Sequence, residues 1–368
     1  MSQKTVPLEP IHAATARYEA WLAGFVPIVQ ADLTLKHSRM AASAFAFMRG
    51  TFYRFMQTWE RVTPQLRDAP SVLAVGDLHL ENFGTWRDAE ARLVWGINDF
   101  DEAAELPYTL DLLRLATGAR LAIAESQLKI NPEDACKAVL EGYAAALKMG
   151  GSAFVLEAQH GWLRTIAEAA LAEPAAYWAK LAALPTASNP VPAATRLLEA
   201  SLPARASKSR ILHRVAGLGS LGRERLVCIA DWNGAALARE AKPLAPSAAA
   251  WASGVNDDRV RYADILSGAI RAPDPSISSD ENWIVRRLAP DSSRIDLSCL
   301  HSDIRSEMHE EKLLYAMGWE TANLHLGSHN AVNAVGRDLE QRPKGWLRDA
   351  TRDMAAAVTA DWKDWKRG

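Results

Sequence analysis

Two acidic segments in the first third of the chain carry side chains that bind metal ions in other proteins. Asp77 and Asn82 lie five positions apart and follow the apolar run 71–75, while Asp99 follows the apolar run 93–97. In the catalytic loop of kinases an aspartate and an asparagine have this spacing, and the asparagine reaches a metal ion. A later aspartate is the main metal-binding carboxylate of such enzymes. The pattern therefore indicates a phosphotransferase that holds magnesium.

Three nearby residues have supporting roles in this interpretation. Asp101 is a candidate further metal ligand or a carboxylate that supports the ligands, and His79 is expected to orient the loop by hydrogen bonds. Arg49, in an aromatic segment, is expected to form a structural ion pair, with contact to phosphate or substrate as the alternative. A simpler explanation is that the aspartate and the asparagine only cap the next element through Asx turns. The second acidic cluster, at Asp99, favours the metal site.

A glycine-rich segment lies after these residues instead of before them. Gly217, Gly219 and Gly222 have the spacing G-x-G-x-x-G, which alone is a weak signal. A β-type run, 223–229, and the Asn-Gly pair at 233–234 follow, which favours strand, glycine loop and strand in that order. Kinases lay such a loop over nucleotide phosphates. We expect the same here, with a plain tight hairpin as the alternative.

A basic residue after this loop is expected to contact the phosphates. Lys242 lies twenty positions after Gly222, at the end of a predicted third strand. Arg239 is the competitor, but three positions away in a strand it faces the opposite side. We prefer Lys242, and for either residue the alternative is a solvated strand edge. Three aspartates in the stretch that follows are candidate partners of the lysine: Asp257, Asp258 and Asp264.

Composition excludes several classes of partner. The chain has 368 residues, of which 49% are hydrophobic and 23% charged, and its formal net charge is -2. This charge gives no general attraction to nucleic acid or to anionic membranes. The first 24 residues lack the apolar core of a signal peptide, and no 18 consecutive residues are apolar. Three widely separated cysteines, Cys136, Cys228 and Cys299, suit a reducing cytoplasm. We expect a cytoplasmic protein whose partner is a small molecule.

The apolar pattern predicts helices alternating with short strands. Helices are expected over 11–65, 110–124, 134–148 and 161–184, and from near Leu300 to the end. Strands are expected over 71–75, 93–97, 211–216, 223–230, 235–242 and 283–288. The first two strands are expected to form a hairpin that places the carboxylates of Asp77 and Asp99 on one rim. A segment rich in Pro, Ala and Ser, 185–209, marks a boundary. The predicted parts are a helical lobe with the catalytic loops (1–205), a small β-rich nucleotide-binding lobe (206–290) and C-terminal helices that complete the large lobe (291–368).

The chain resembles the bacterial family called domain of unknown function 2252, which is regarded as related to kinase-like folds. The resemblance covers about 36–328 and rests on segments 45–50, 76–84, 98–102, 111–116, 217–222 and 240–241. By similarity to aminoglycoside and choline kinases it implies that Asp77 is the catalytic base and that Asn82 and Asp99 bind magnesium. Asp111 would then be the buried carboxylate that braces the catalytic loop.

The sequence departs from the family pattern at two positions. Ala44 replaces the usual proline, and Arg239 stands where many members have lysine. The order of the motifs also differs from that of kinases, since the metal and base motifs come first. A circular permutation explains this order if the helix at 311–326 lies beside 71–77 in space. We therefore predict an α+β, protein-kinase-like two-lobe fold, circularly permuted, with a mainly helical large lobe and a small antiparallel β lobe.

The predicted function is magnesium-dependent transfer of the γ-phosphate of ATP to a hydroxyl of a small molecule. The residues expected to bind ATP are Gly217, Gly219, Ser220, Gly222, Lys242 and, as the competitor, Arg239. Transfer of AMP instead of the γ-phosphate is a further alternative, because the same loop can hold ATP in the reversed orientation. One alternative is a metal-dependent phosphoester hydrolase with the ligands Asp77, His79, Asp99 and Asp101. The other is a catalytically inactive nucleotide-binding scaffold.

Overall fold

Helices from both ends of the chain enclose one hydrophobic core. The computed structural model describes residues 8–157, 159–280, 282–292, 294 and 307–368. These residues form fourteen α-helices: α1 (Ile11–Leu22), α2 (Gln30–Met40), α3 (Ala44–Gly50), α4 (Phe52–Val62), α5 (Tyr108–Ala124), α6 (Pro132–Met149), α7 (Gly161–Ala169), α8 (Pro174–Ala182), α9 (Pro192–Ala200), α10 (Ala248–Ser253), α11 (Tyr262–Gly268), α12 (Glu307–His325), α13 (Val332–Gln341) and α14 (Trp346–Trp365). The last helix, α14, packs on α3, α4 and α5.

Ten short strands complete a mixed α+β protein. They are β1 (Ser71–Ala74), β2 (Phe83–Arg87), β3 (Leu93–Ile97), β4 (Ala104–Pro107), β5 (Phe154–Val155), β6 (Ser207–His213), β7 (Leu226–Trp232), β8 (Ala235–Pro243), β9 (Ser278–Ser279) and β10 (Trp283–Leu288). They form three sheets with the orders β1-β4, β2-β3-β5 and β6-β7-β8-β10-β9, in which neighbouring strands are antiparallel. The largest sheet lies within 207–288. None of the described helices combines the length and the apolar character that crossing a membrane requires.

The predicted hairpin between 71–75 and 93–97 is wrong. Strand β1 pairs with β4, and β3 pairs with β2 and β5, so the two predicted strands belong to different sheets. Strands β2 and β4 were not recognised because they are four or five residues long and contain Gly84 or Pro107. The acidic residues after β1 and β3 nevertheless line one cleft.

Proline and glycine set several element boundaries. The helix predicted over 161–184 is two helices, because Pro174 begins α8 and the side chain of Glu173 caps it. Pro192 likewise begins α9 inside the segment predicted to be a boundary. The predicted Asn-Gly hairpin joins β7 and β8, and Asn233 and Gly234 have φ of 48° and 85°, as a type I′ turn needs. The predicted helix start near Leu300, and Cys299, lie outside the described residues.

Helix α12 lies beside β1. The Leu73 N–H of β1 donates to Ser328 Oγ, 2.8 Å away, just after α12. The same helix approaches α6 very closely, because Gly142 and Gly318 face the partner backbone. A Cβ on Gly142 would lie 1.9 Å from the Tyr315 carbonyl oxygen, so only glycine permits this contact. The close crossing fixes α12 against the core.

We therefore expect Gly142→Ala to lower the free energy of unfolding by about 1–3 kcal/mol, because the added methyl group forces the two helices apart. Gly336→Ala is the matched control, since Gly336 lies in α13 and a Cβ added there would have no atom of the described residues within 4 Å. That change is expected to be neutral or to stabilise by up to about 1 kcal/mol. Urea unfolding measures both values, and an equal effect of the two substitutions would contradict the close crossing.

Candidate active site

Residues from the acidic segments and the glycine-rich loop line one cleft. Nine of the predicted site residues contribute to its lining: Arg49, Asp77, His79, Asn82, Asp99, Asp101, Gly217, Gly219 and Ser220. Four others lie outside the lining: Asp111, Gly222, Arg239 and Lys242. The cleft has a volume of about 40 Å³, which is room for little more than water. Distant parts of the sequence therefore meet in a narrow space.

Asp111 braces the backbone that leads to Asp77. Its carboxylate accepts the N–H groups of Val75 and Gly76 at 2.7 and 2.9 Å. His325 of α12 lies 2.9 Å from the same carboxylate, and both side chains are fully buried. Gly76 has a φ of 82°, and a Cβ there would lie 2.3 Å from the backbone oxygen of Glu102. The turn after β1 therefore requires glycine and a buried acceptor.

Asp77 is held on one side by an arginine and is open on the other. Arg114, which is fully buried in α5, donates Nε to Asp77 Oδ1 at 2.9 Å and Nη2 to the same oxygen. Arg114 Nη2 also donates to the Met48 carbonyl at 2.9 Å. Burial raises the pKa of Asp77, and Asp99 adds to this effect, although Arg114 opposes it. Asp77 Oδ2 points toward the glycine-rich loop, where a Cβ on Gly219 would lie 3.1 Å away.

His79 and Asn82 form hydrogen bonds within the loop after Asp77. The His79 N–H donates to Asn82 Oδ1 at 2.6 Å, and the Glu81 N–H donates to His79 Nδ1 at 3.2 Å. Burial lowers the pKa of His79 well below its usual value, and the charges of Arg49 and Arg114 add to this, so the ring is neutral. These bonds fix the amide of Asn82, which lies in the lining of the cleft.

Arg49 forms the ion pair that its position suggested. Its Nη1 donates to Glu81 Oε1 at 2.7 Å, and its Nη2 lies 2.5 Å from Glu81 Oε2. The guanidinium also lies over the Phe45 ring, with its carbon 5.4 Å from the ring centre. The backbone oxygen of Arg49 is close to Gly219, 3.2 Å from an added Cβ. The pair thus anchors the rim of the cleft where the glycine-rich loop lies.

Lys242 joins the largest sheet to the acidic cluster. Its Nζ lies 2.9 Å from Asp99 Oδ1 and 2.7 Å from Asp101 Oδ1. Burial alone would raise the pKa of Asp99, but Lys242 and Arg294 outweigh burial and lower it. The pKa of Asp101 is raised by burial and by the charge of Asp99. One carboxylate of the pair therefore stays ionised more readily than the other.

Arg239 does not reach this cluster. It faces the other side of β8, where it is paired with Cys228 of β7, and its Nη1 donates to the neighbouring Ala238 carbonyl. The candidate lysine partners after β8 are occupied elsewhere or exposed, since Asp257 pairs with Arg259 and Asp264 pairs with Arg261, while Asp258 is exposed. The partners of Lys242 are instead the two aspartates after β3.

The glycine-rich loop is tied down by the segment before α2 and by α2 itself. The Val29 N–H donates to the Gly222 carbonyl at 2.8 Å, and Ile28 forms a β-bridge with Arg223. Lys36 Nζ donates to the Gly219 carbonyl at 3.1 Å. Gly222 has a φ of 100° and packs against Leu33, where a Cβ would lie 2.9 Å from Cδ1. The loop is thereby held against Asp77.

Five charged residues of the site were not identified from the sequence: Lys36, Glu102, Arg114, Arg223 and Arg294. Glu102 accepts the Ala248 N–H at 2.6 Å and pairs with Arg223 at 3.3 Å, and burial raises its pKa to about 7. A signal for Lys36 existed, because Leu33, Lys36 and Met40 share the buried side of α2 at helical spacing. A lysine within such a stripe points into the protein.

Magnesium fits this cleft only with help from a ligand. Among the residues that the structure describes, no three His, Cys, Asp or Glu side chains are grouped to hold a metal ion. Asp99, Asp101 and Asn82 offer two carboxylates and an amide oxygen. Magnesium is usually bound by one or two carboxylates together with substrate phosphates, not by a complete protein cage. The donor set therefore suits a metal–phosphate complex.

The fold and site define a mixed α+β protein with a charged cleft that a glycine-rich loop borders. Residues 29–181 match the model of a family described as "Uncharacterized protein conserved in bacteria (DUF2252)". This match supports the resemblance to domain of unknown function 2252 and includes both acidic segments and Asp111. It ends before the glycine-rich loop. No curated protein matches the chain, and no solved structure matches it.

The burial of Lys36 predicts that the free energy of unfolding depends on pH. Burial lowers the pKa of Lys36 to about 8, so the folded state holds this proton less tightly than the unfolded state does. The stability of the wild type relative to Lys36→Met should therefore rise between about pH 8 and 10.5, by about 3 kcal/mol in total. Urea unfolding at several pH values measures the difference. Lys137→Met, at an exposed lysine, should show no such slope, and parallel curves for Lys36→Met would contradict the assignment.

Proposed function

We propose that this protein is a kinase-like phosphotransferase that moves the γ-phosphate of ATP to a hydroxyl of a small molecule with magnesium. The observation that carries the proposal is the contact of Lys242 with Asp99 and Asp101, in a cleft where the glycine-rich loop lies against Asp77. Kinases combine the same parts: a loop over the phosphates, a lysine on the third strand and a metal-binding aspartate.

The order of elements supports a permuted kinase-like fold with two lobes. The glycine-rich loop joins the first and second strands of the sheet β6-β7-β8-β10-β9, and Lys242 lies on the third, β8. Helix α12 ends beside β1, as a circular permutation requires. The small lobe of this proposal is the sheet within 207–288, and the large lobe contains the helices from both ends of the chain.

The carboxylates of the cleft divide the chemical roles in this proposal. Asp77, with a raised pKa and an open Oδ2, accepts the proton of the acceptor hydroxyl. Asp99, whose pKa is lowered, would hold magnesium together with Asn82, and the ion would neutralise charge on the phosphates. Gly217, Gly219 and Ser220 cover the phosphates, and Lys242 pairs with them.

The cleft must open for this reaction. Its volume of about 40 Å³ is far below the several hundred Å³ that small-molecule sites need. A cavity of about 300 Å³ adjoins it and shares Gly217 and Arg294 with it. Lifting the glycine-rich loop from Asp77 would join the two spaces. Closure of such loops after substrate binding is common in enzymes that must exclude water.

A phosphoester hydrolase is the second candidate, and two contacts disfavour it. Asp77 Oδ1 is occupied by Arg114, and His79 Nδ1 accepts the Glu81 N–H, which leaves only Asp77 Oδ2 and His79 Nε2 for a metal ion. Stabilisation by a divalent metal alone, without an effect of nucleotide, would nevertheless favour hydrolysis. Binding of nucleotide without turnover by any metabolite would favour the inactive scaffold.

Substitutions in the cleft should separate binding from chemistry. Asp77→Asn keeps an acceptor for Arg114 but removes the base, so transfer should fall by about 100-fold or more while ATP still stabilises the protein. Asp99→Asn should remove the magnesium-dependent part of that stabilisation. Asp68→Asn is the matched control, since Asp68 is 86% exposed at the surface. Thermal-shift and transfer assays check these outcomes, and unchanged transfer by Asp77→Asn would contradict the proposal.

One experiment identifies both the acceptor molecule and the group that is transferred. The protein is incubated with cell extract and with ATP labelled at either the α- or the γ-phosphate, and labelled products are identified. Label from the γ-position in a small molecule supports phosphoryl transfer. Label from the α-position in a product indicates AMP transfer. The absence of any labelled product would contradict both phosphoryl transfer and AMP transfer.

A further inference from the structure

The cavity beside the cleft is lined by six arginines: Arg214, Arg225, Arg271, Arg286, Arg287 and Arg294. We call this cavity, of about 300 Å³, the arginine pocket. Among the described residues that line it, one carboxylate, that of Asp274, opposes them. The rest of the lining is neutral and includes Trp86, Tyr177 and Leu288. A site for the base of a nucleotide is mostly apolar and does not usually contain so many guanidinium groups.

Three of the arginines converge on a single buried carboxylate. Glu240 of β8 is fully buried, and its Oε1 accepts Arg225 Nη1 at 3.0 Å and Arg286 Nη2 at 2.8 Å. Its Oε2 accepts Arg214 Nη1. One negative charge thus holds three positive charges at the base of the pocket. These contacts also fix the orientation of the guanidinium groups.

The other arginines add to the excess of positive charge. Arg287 pairs with Asp291 at 3.1 Å, whereas Arg294 lies 3.9 Å from Asp99, a looser contact. Arg271 lies over the Trp86 ring, 4.5 Å from its centre, and donates to a backbone carbonyl. Guanidinium groups that are close together repel one another unless an anion lies between them. The pocket is therefore arranged to receive negative charge.

A structural role explains part of this network but not all of it. Arg225 Nη2 donates to Ser220 Oγ at 2.6 Å, which links Glu240 to the glycine-rich loop. That link needs one arginine, and Arg286 and Arg214 are not part of it. Arg287, the neighbour of Arg286 on β10, and Arg271, which follows α11, do not contact Glu240 at ion-pair distance. The surplus charge faces the space itself.

We propose that the arginine pocket binds a polyphosphate group. Guanidinium groups have planar forks of donors that match phosphate oxygens, and several of them are needed to balance a group with multiple charges. Gly217 and Arg294 border both the pocket and the cleft, so a chain of phosphates in the pocket reaches the side of Asp99. The group belongs either to the nucleotide or to a phosphorylated acceptor. The inference does not depend on the transfer reaction.

Calorimetric titration of the whole protein with inorganic tripolyphosphate, pyrophosphate, phosphate and adenosine tests the pocket. Tripolyphosphate is expected to bind most tightly, phosphate weakly and adenosine not at all, with affinity falling as salt rises. Arg286→Gln and Arg287→Gln should each weaken tripolyphosphate binding by about 10-fold, because each removes charged hydrogen bonds. Arg210→Gln, at an exposed arginine of the same sheet, should bind as the wild type does.

Arg287→Gln keeps the test valid if Arg286→Gln fails to fold, because Arg287 is 35% exposed and its ion pair lies at the surface. Equal binding by wild type and Arg287→Gln, or no binding of tripolyphosphate, would overturn the proposal. Competition between ATP and tripolyphosphate would assign the group to the nucleotide. Simultaneous binding of both would assign it to the acceptor.

The outcome is independent of the proposed catalysis. Asp77→Asn should bind tripolyphosphate with the affinity of the wild type, because Asp77 does not line the arginine pocket. If this variant loses transfer but still binds tripolyphosphate, the proposal that the arginine pocket binds a polyphosphate group is still supported. Transfer activity that survives in the arginine variants with unchanged affinity for tripolyphosphate would instead contradict the pocket assignment and keep the catalytic one.

Discussion

The ion cluster around Lys242 is the contact on which the rest of the cleft depends. A strand of the largest sheet, β8, supplies the ammonium group, and the loop after β3 supplies Asp99 and Asp101. In a poorly solvated site each charge needs its partner, because removal of one leaves an uncompensated ion whose burial is costly. The cluster therefore fixes the sheet relative to the helical part of the molecule. The position of the glycine-rich loop follows from it, since the loop is continuous with β7 of the same sheet.

Neighbouring carboxylates in this cleft have opposite tendencies to ionise. Burial raises the pKa of Asp77. The pKa of Asp99 is lowered, because Lys242 and Arg294 outweigh the effect of burial. Two acids pushed in opposite directions in one site are the usual sign of a divided role, one for proton transfer and one for permanent negative charge. Arg294, which contributes to this difference, also lines both the cleft and the arginine pocket.

Local chemistry made part of the structure predictable. Asn233-Gly234 specified its hairpin, because few residue pairs tolerate two positive φ values, and the acidic segments were read from the spacing of Asp77, Asn82 and Asp99. The pairing of β1 with β4 was not predictable, because short strands in a helical protein pair by tertiary packing and not by alternation. Arg114 was missed for a related reason. Its role comes from burial beside Asp77, which sequence spacing alone does not reveal.

The tie between the glycine-rich loop and the N-terminal helices has a kinetic consequence. The β-bridge of Ile28 with Arg223 and the bond from Lys36 to Gly219 join the loop to α2. The loop cannot swing on its own glycines while these bonds last, so ligand exchange requires either their rupture or a concerted shift of α2. Such collective movements take microseconds to milliseconds and are slower than the motion of a loop that is not tethered. Residence time in this cleft would then be governed by α2, a helix far in sequence from the glycine-rich loop that it holds.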